Sequence, residues 1–391
     1  MYYDMSIIKL ITHIGEIRKQ KLSVSITNDS DLLIMFNEFS KVKKINTLSN
    51  AINRFQQYFK INFYKLLLPF IFKWAMEYDI DSLSPLMRDI EANKIFTAKE
   101  ARYWLANTFI MNVDRYHKPK YGELTFVELY NGSSVGEEKL LCILTYFYLA
   151  VKLDEDREIG FYRHIITENP QTLFDSNIKI NTNIVDIHVN NMESVKAHAI
   201  VNFANEQLSY GIINSCTQEE ILNVCCPETY LALLFIESME DNEIIIIKGA
   251  RRFSNYTGYL HSFKWTGTYN DTIFQDQIGL DACTNSHFHY KNVNRDIMKA
   301  YTGFKMVNNK SPSLISTGLW GCGAFGGDIA HKFLQQLLAV SVIPNTKLYY
   351  STYGNNNIAI KLNTILNFIN KNNITVKQLY NILDSGDKID F

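Results

Sequence analysis

Four consecutive isoleucines, Ile244-Ile245-Ile246-Ile247, limit what this chain can fold into. A run so short, uninterrupted and β-branched predicts a strand buried on both faces, since a one-sided strand alternates apolar with polar residues. Such a strand needs a layer of structure above and below it. Other strand signals lie around it: Val185, Ile187 and Val189 alternate, as do Ala199, Val201 and Phe203, and Leu348-Tyr349-Tyr350 is a further candidate. Helical stretches fall between them, from Glu219 to Val224 and on past Pro227 through Leu231 to Met239, then from Asp328 to Val340. Strands alternating with helices predict a layered α/β domain, with ligands bound where loops gather at the carboxyl ends of the strands.

Ahead of residue 151 the periodicity is different. Ile8, Leu10, Ile11 and Ile14 recur at helical spacing, as do Leu66, Leu67, Phe70, Ile71 and Trp74. The stretch Leu66–Met76 contains Pro69 and Lys73, is too short to span a bilayer and predicts a buried helix. Thr97-Ala98-Lys99-Glu100 has the pattern of a capping box, and Leu140, Leu141, Leu144 and Phe147 close this half. The expected division is a helical domain over residues 1–150 and an α/β domain over 151–391. Met1–Lys21, with Asp4 and Glu16 and no long apolar core, does not read as a signal peptide.

The formal net charge is −1, so a polyanionic ligand would need a local site and not a general basic surface. The cysteines Cys142, Cys216, Cys225, Cys226, Cys283 and Cys322 show neither CxxC nor zinc spacing, which predicts reduced, packed thiols in an intracellular protein. His261, His287 and His289 lack a third metal ligand at suitable spacing and read as packed or surface side chains. Cys216 has no accompanying Cys/His pattern that would make it a nucleophile.

Two stretches carry chemistry. Gly318-Leu319-Trp320-Gly321-Cys322-Gly323-Ala324-Phe325-Gly326-Gly327-Asp328 is glycine-rich and opens a helix, with Asp328 as its N-cap and Phe333, Leu334, Leu337 and Leu338 as its apolar face. Bare backbone amides at and before such a helix start suit a diphosphate, although a tight turn that packs closely has the same composition. Gln218-Glu219-Glu220 places two carboxylates in a helix first turn. There they favour the dipole, or divide the labour of glycosidic cleavage, one holding hydroxyls and the other moving a proton.

In combination these residues resemble the poly(ADP-ribose) glycohydrolase family. Gln218-Glu219-Glu220 is similar to its catalytic signature, and Phe203-Ala204-Asn205 to the strand end before it. Tyr256-Thr257-Gly258-Tyr259 with Trp265, Trp320 to Asp328, and Thr352-Tyr353-Gly354 follow in the family's order. Leu105-Ala106-Asn107 and Leu141-Cys142-Ile143-Leu144 extend the likeness, which spans roughly residues 60–391. The resemblance implies a macrodomain, a mixed sheet sandwiched by helices, preceded by an all-helical accessory domain. It implies hydrolysis of ribose–ribose O-glycosidic bonds in poly(ADP-ribose), releasing ADP-ribose, with no redox cofactor and no catalytic metal. The partners would be the polymer or ADP-ribosylated proteins, in the cytoplasm or nucleus, without membrane or sequence-specific nucleic-acid binding. Glu220 would be proton donor and later base, and Glu219 would hold ribose hydroxyls. Asn205, Gly211 and Gln218 would orient the substrate. The backbone of Gly321, Cys322, Gly323, Ala324, Phe325 and Gly326 would take the diphosphate, and Tyr259 and Tyr353 would line the adenosine side.

The chain departs from the family pattern in places. Three glycines are usual before Gln-Glu-Glu, where this chain has Ser209-Tyr210-Gly211 in a loop one residue shorter. The family's aspartate ahead of Phe203 is Asn202, its asparagine before the loop tryptophan is Leu319, and its adenine-reading acid corresponds to Lys196. These changes leave open a macrodomain that binds ADP-ribose with weak or no cleavage; a purely structural or interaction protein is the third reading.

Overall fold

The computed structural model describes residues 8–9, 26–40, 42–78, 82–111, 124–153, 156–208, 214–271, 274–308 and 312–386. In chain order the longer strands are β1 (Ala92–Thr97), β2 (Glu158–Ile165), β3 (Val185–His188), β4 (Ala199–Asn202) and β5 (Glu243–Lys248). They continue with β6 (Ser254–Thr257), β7 (Lys264–Thr268), β8 (Asp276–Gly279), β9 (Ser313–Gly318) and β10 (Thr346–Ser351). One mixed sheet of eight runs β1–β2–β5–β8–β4–β9–β10–β3, and β6 with β7 forms a separate antiparallel hairpin.

The isoleucine run is the middle of β5, and its residues divide between two cores. Ile245 and Ile247 face one with Phe161, Leu231 and Phe235; Ile244 and Ile246 face the other with Ile278, Val293 and Leu334. The first core is filled mainly by α1 (Asp29–Ser40), α2 (Asn46–Phe59), α3 (Leu68–Ala75), α4 (Ala98–Phe109) and α5 (Ser134–Ala150). It also contains Ile221 and Val224 of the short α6 (Gln218–Cys225). The second is filled by α7 (Tyr290–Met306), α8 (Ile329–Ser341), α9 (Asn356–Lys371) and α10 (Val376–Asp384). The helical region therefore packs directly on the sheet.

Four expectations need correction. The first 150 residues are not wholly helical: β1 pairs antiparallel with β2, from Ala92 opposite Arg163 to Thr97 opposite Glu158. Its pairing partner lies beyond residue 157, so no local periodicity announces it. Ile8 and Lys9 pair with Leu83 and Ser82 and are not helical, while residues 10–25 lie outside the described chain. Leu66–Met76 is a π turn followed by α3, and with Leu66 55% and Phe70 39% exposed it is buried on one side only. Past Pro227 the chain makes a 3-10 turn (Pro227–Leu231) and one helical turn ending at Phe235, after which Ile236 bridges to Leu86. The capping box at Thr97 is formed as expected, with Thr97 N–H donating to Glu100 at 2.7 Å.

The strands β8, β4, β9, β10 and β3 are mutually parallel, so their carboxyl ends meet along one edge. The loops after Asn202, Gly279, Gly318 and Ser351 converge there, and a ligand pocket is expected at that place.

Candidate active site

α6 is fixed to the end of β4 by its first residue. The Gln218 amide accepts the Phe203 N–H at 2.8 Å and donates to Val201 O at 3.1 Å, continuing the strand's bonding into a side chain. This holds the next two residues at the sheet edge. Glu219 Oε2 accepts the Asn205 N–H at 3.4 Å, so its carboxylate faces the loop after β4. Glu220 turns the other way, as adjacent residues on a helix must. Its Oε2 accepts the Thr217 N–H at 2.8 Å and lies 3.7 Å from Nζ of Lys139, a residue of α5. Both carboxylates are buried.

The glycine-rich stretch spans the end of β9 and the start of α8, and its glycines serve different purposes. Gly321 has φ +72°, and a Cβ there would lie 2.7 Å from that of Ala282; at Gly327 it would lie 2.8 Å from Gly321 O. These two answer to packing. At Gly323 a Cβ would meet nothing within 4 Å, so the space beside it is open. Asp328 caps α8 by accepting the His331 N–H at 2.9 Å, so the helix end already holds an anion of its own. Gly326 and Gly327 donate within the loop, to Gly323 O and Gly321 O. Among the described residues, the amides of Gly323, Ala324 and Phe325 have no protein acceptor, and Gly323 and Ala324 are exposed. The amides left without a protein acceptor thus lie in the loop upstream of the helix and not in its first turn. Cys322 sits in the loop with its thiol pushed up to about 12 by burial.

Lys332 does not serve this loop as a free cation. It pairs with the fully buried Asp296, which also takes Arg295 at 2.8 Å and the Cys283 N–H at 3.2 Å. Lys299 and Arg295 in turn meet Asp281. His287 bridges from Cys283 Sγ, 3.3 Å away, to Phe325 O, 2.8 Å away, so its Nε2 donates to the carbonyl. This network braces the loop through Phe325. A cavity of about 340 Å³ is lined by Asn205, Ala282, Asn285 and Phe325 together with Asp281, Cys283 and Arg295 of the network itself.

At the other end, Tyr259 and Tyr353 come together with ring centroids 5.3 Å apart. Leu260 N–H donates to Cys216 O at 2.8 Å and ties the Tyr259 loop to the residues ahead of α6. Burial raises both phenols above their ordinary range. Lys196 is far more exposed and pairs with Asp271 at 2.7 Å. Glu193 accepts Tyr256 Oη–H at 2.8 Å, and burial holds its carboxyl above the usual range. Sequence reasoning missed Glu193 because it lies in a short 3-10 turn with no periodicity. It missed Lys139 too, whose one signal is a lysine inside the apolar run of α5.

Gly211, with Ser209 and Tyr210, lies outside the described residues. Asn202 is buried at the end of β4, and its Oδ1 has no partner among the described residues. Cys216 is buried with its thiol pushed up, and all six cysteines are free. His261 bonds Asn214 O and His289 caps α7, so the three histidines are engaged singly. Among the described residues no three His, Cys, Asp or Glu gather as a metal site, and no helix is long and apolar enough to cross a membrane.

A family model for "Poly (ADP-ribose) glycohydrolase (PARG), Macro domain fold" matches residues 174–360, and one for the helical domain of the same enzymes matches residues 55–163. The chain belongs to the poly(ADP-ribose) glycohydrolase family. The fold is accordingly a macrodomain with the family's helical domain ahead of it. Poly(ADP-ribose) glycohydrolase 2 of Caenorhabditis elegans is 30% identical over 281 residues, 64% of this chain and 57% of that protein. Poly(ADP-ribose) glycohydrolase 1 of Arabidopsis thaliana is 28% identical over 340 residues, 66% of this chain and 62% of its own. The chain thus spans less than two thirds of these curated relatives. The crystal structure of the Thermomonospora curvata glycohydrolase bound to the inhibitor ADP-HPD aligns with a TM-score of 0.35 at 11% identity, covering 52% of this chain and 84% of that one.

The open space at Gly323 gives a test of the loop. Gly323→Val should fold normally, because a side chain meets no protein atom there. It should weaken ADP-ribose binding by about 1–3 kcal/mol, the worth of lost charge-assisted hydrogen bonds to phosphate. Calorimetric titration showing wild-type affinity in the folded variant would remove the loop from the site.

Proposed function

We propose that the chain is a poly(ADP-ribose) glycohydrolase, hydrolysing ribose–ribose O-glycosidic bonds and releasing ADP-ribose. The observation that carries this reading is the placement of Glu219 and Glu220 at the end of β4, with Glu219 turned to the Asn205 amide. Glycosidic cleavage needs an acid for the leaving oxygen and then a base for water. Glu220 gives its proton to the oxygen of the departing ribose. It then takes one from the water whose oxygen bonds to the anomeric carbon, and is restored. Glu219 and Asn205 hold the ribose, and Gln218 sets the carboxylates through its bonds to β4. The amides of Gly323 to Phe325 take the diphosphate, within the loop Gly321–Gly326. Tyr259 and Tyr353 enclose the adenosine end, with Glu193 in place of Lys196 as its acid.

The substrate and partners in this reading are the polymer and ADP-ribosylated proteins. A reducing intracellular compartment, cytoplasm or nucleus, belongs to it, supported by the six free cysteines. So does a working division of the chain near residue 150. One observation favours binding without efficient cleavage: Glu220 already faces an ammonium and a backbone N–H, both of which stabilise its charged form. Release of ADP-ribose from purified polymer, followed by chromatography, decides between the two. Polymer left intact by a protein that binds ADP-ribose would overturn hydrolysis and leave binding.

A further inference from the structure

Lys139 is 1% exposed, and its Nζ is 3.7 Å from Glu220 Oε2. An ion pair removed from water in this way is costly to form and seldom adds stability, so its worth is sought elsewhere. It joins α5 of the helical region to α6 of the macrodomain. The residue before it works alongside: Glu138 accepts the Trp265 N–H at 3.1 Å and takes Arg54 at 2.8 Å. α5 thus grips both α6 and the hairpin whose turn carries Tyr259. Among the described residues, the groups around Glu220 include Lys139 of α5, Cys216 and Thr217 ahead of α6, Glu219 beside it, Tyr230 of the 3-10 turn and Tyr259 of the hairpin turn. Burial keeps the Cys216 thiol and the Tyr230 and Tyr259 phenols neutral. Of these neighbours Lys139 is the cation.

We propose that Lys139 is a positioning residue of the active site: supplied by the helical region, it fixes the Glu220 carboxylate and keeps it charged in the free enzyme. The proposal rests on the glycohydrolase reading for the purpose of Glu220, and on geometry alone for the pair. It gives the helical region a part in the chemistry of the macrodomain, because the proton needed by the leaving oxygen is taken up against the field of Lys139.

The test reads the ionisation of Glu220 directly. The full chain carries glutamate labelled with carbon-13 at the side-chain carboxyl, and Glu220→Gln identifies the signal. In the wild type the midpoint should lie at or below the ordinary glutamate value of about 4.3. Lys139→Met should raise it by about one to three pH units, the usual influence of an adjacent cation. Lys139→Arg should restore it. The limb of the polymer-cleavage profile that follows Glu220 should move to higher pH with Lys139→Met. A wild-type midpoint above the ordinary value, or an unmoved midpoint in folded Lys139→Met, would overturn the proposal. The wild-type measurement decides even where the variant does not fold. Absence of cleavage by a wild type whose Glu220 titrates low would instead sink the glycohydrolase reading and leave the pair standing.

Discussion

Glu220→Gln should bind ADP-ribose and release almost none from polymer. Loss of a positioned acid or base costs about 10²–10⁴-fold in rate. The amide oxygen can still accept the Thr217 N–H, so the first turn of α6 keeps its cap. Gln cannot supply the charge that faces buried Lys139, and a lower melting temperature should accompany the loss of turnover. Rates therefore need comparison well below the melting transition, with affinity measured on the same samples. Cleavage at the wild-type rate would remove Glu220 from the chemistry.

Asp296→Ala should unfold at much lower denaturant. Asp296 is fully buried and answers Lys332 and Arg295 at once. Removing one partner of a buried pair costs about 3–5 kcal/mol, since the remaining charge stays without water. Burial works against the Asp296 carboxylate, but Lys332 and Arg295 hold it below the usual range. A lowered folded value means that this stability is present above the unfolded pKa, about 3.9, and is lost as pH falls through the folded value. The wild type should therefore weaken below about pH 4 with a component that Asp296→Ala lacks. Urea titrations of both proteins at neutral and acid pH measure it, and equal midpoints at neutral pH would defeat the expectation. ADP-ribose binding should fall as well, because Lys332 packs under Gly321 and Gly327.

What could be read from the sequence was local or stood in ordered blocks. The isoleucine run announced its own strand, and Thr97 and Asp328 announced their helices through side chains three residues from the amides they accept. Gln218-Glu219-Glu220 could be placed in a first turn because capping preferences are local. What could not be read depends on partners far along the chain. β1 exists because residues 158–163 lie beside it. Lys139 matters because α5 crosses α6, and no spacing between residues 139 and 220 shows that. Glycine count alone could not separate Gly321, confined by Ala282, from Gly323, which faces open space. Counting along the chain indicated Lys196, which the fold leaves exposed and paired with Asp271, whereas Glu193 three residues earlier is turned inward to Tyr256.

The pairing of β1 with β2 bears on how this architecture can be divided or inherited. A fragment beginning at residue 151 would keep β2 but bare one side of it along Glu158–Arg163, a row of amides and carbonyls with no partner. Open edges of that kind recruit other chains. The macrodomain of this protein is therefore not a portable module with a detachable helical attachment. Strand β1 belongs to the sheet although it precedes residue 150, so exchanges between relatives that cut between Thr97 and Glu158 would leave that edge open and prone to aggregation.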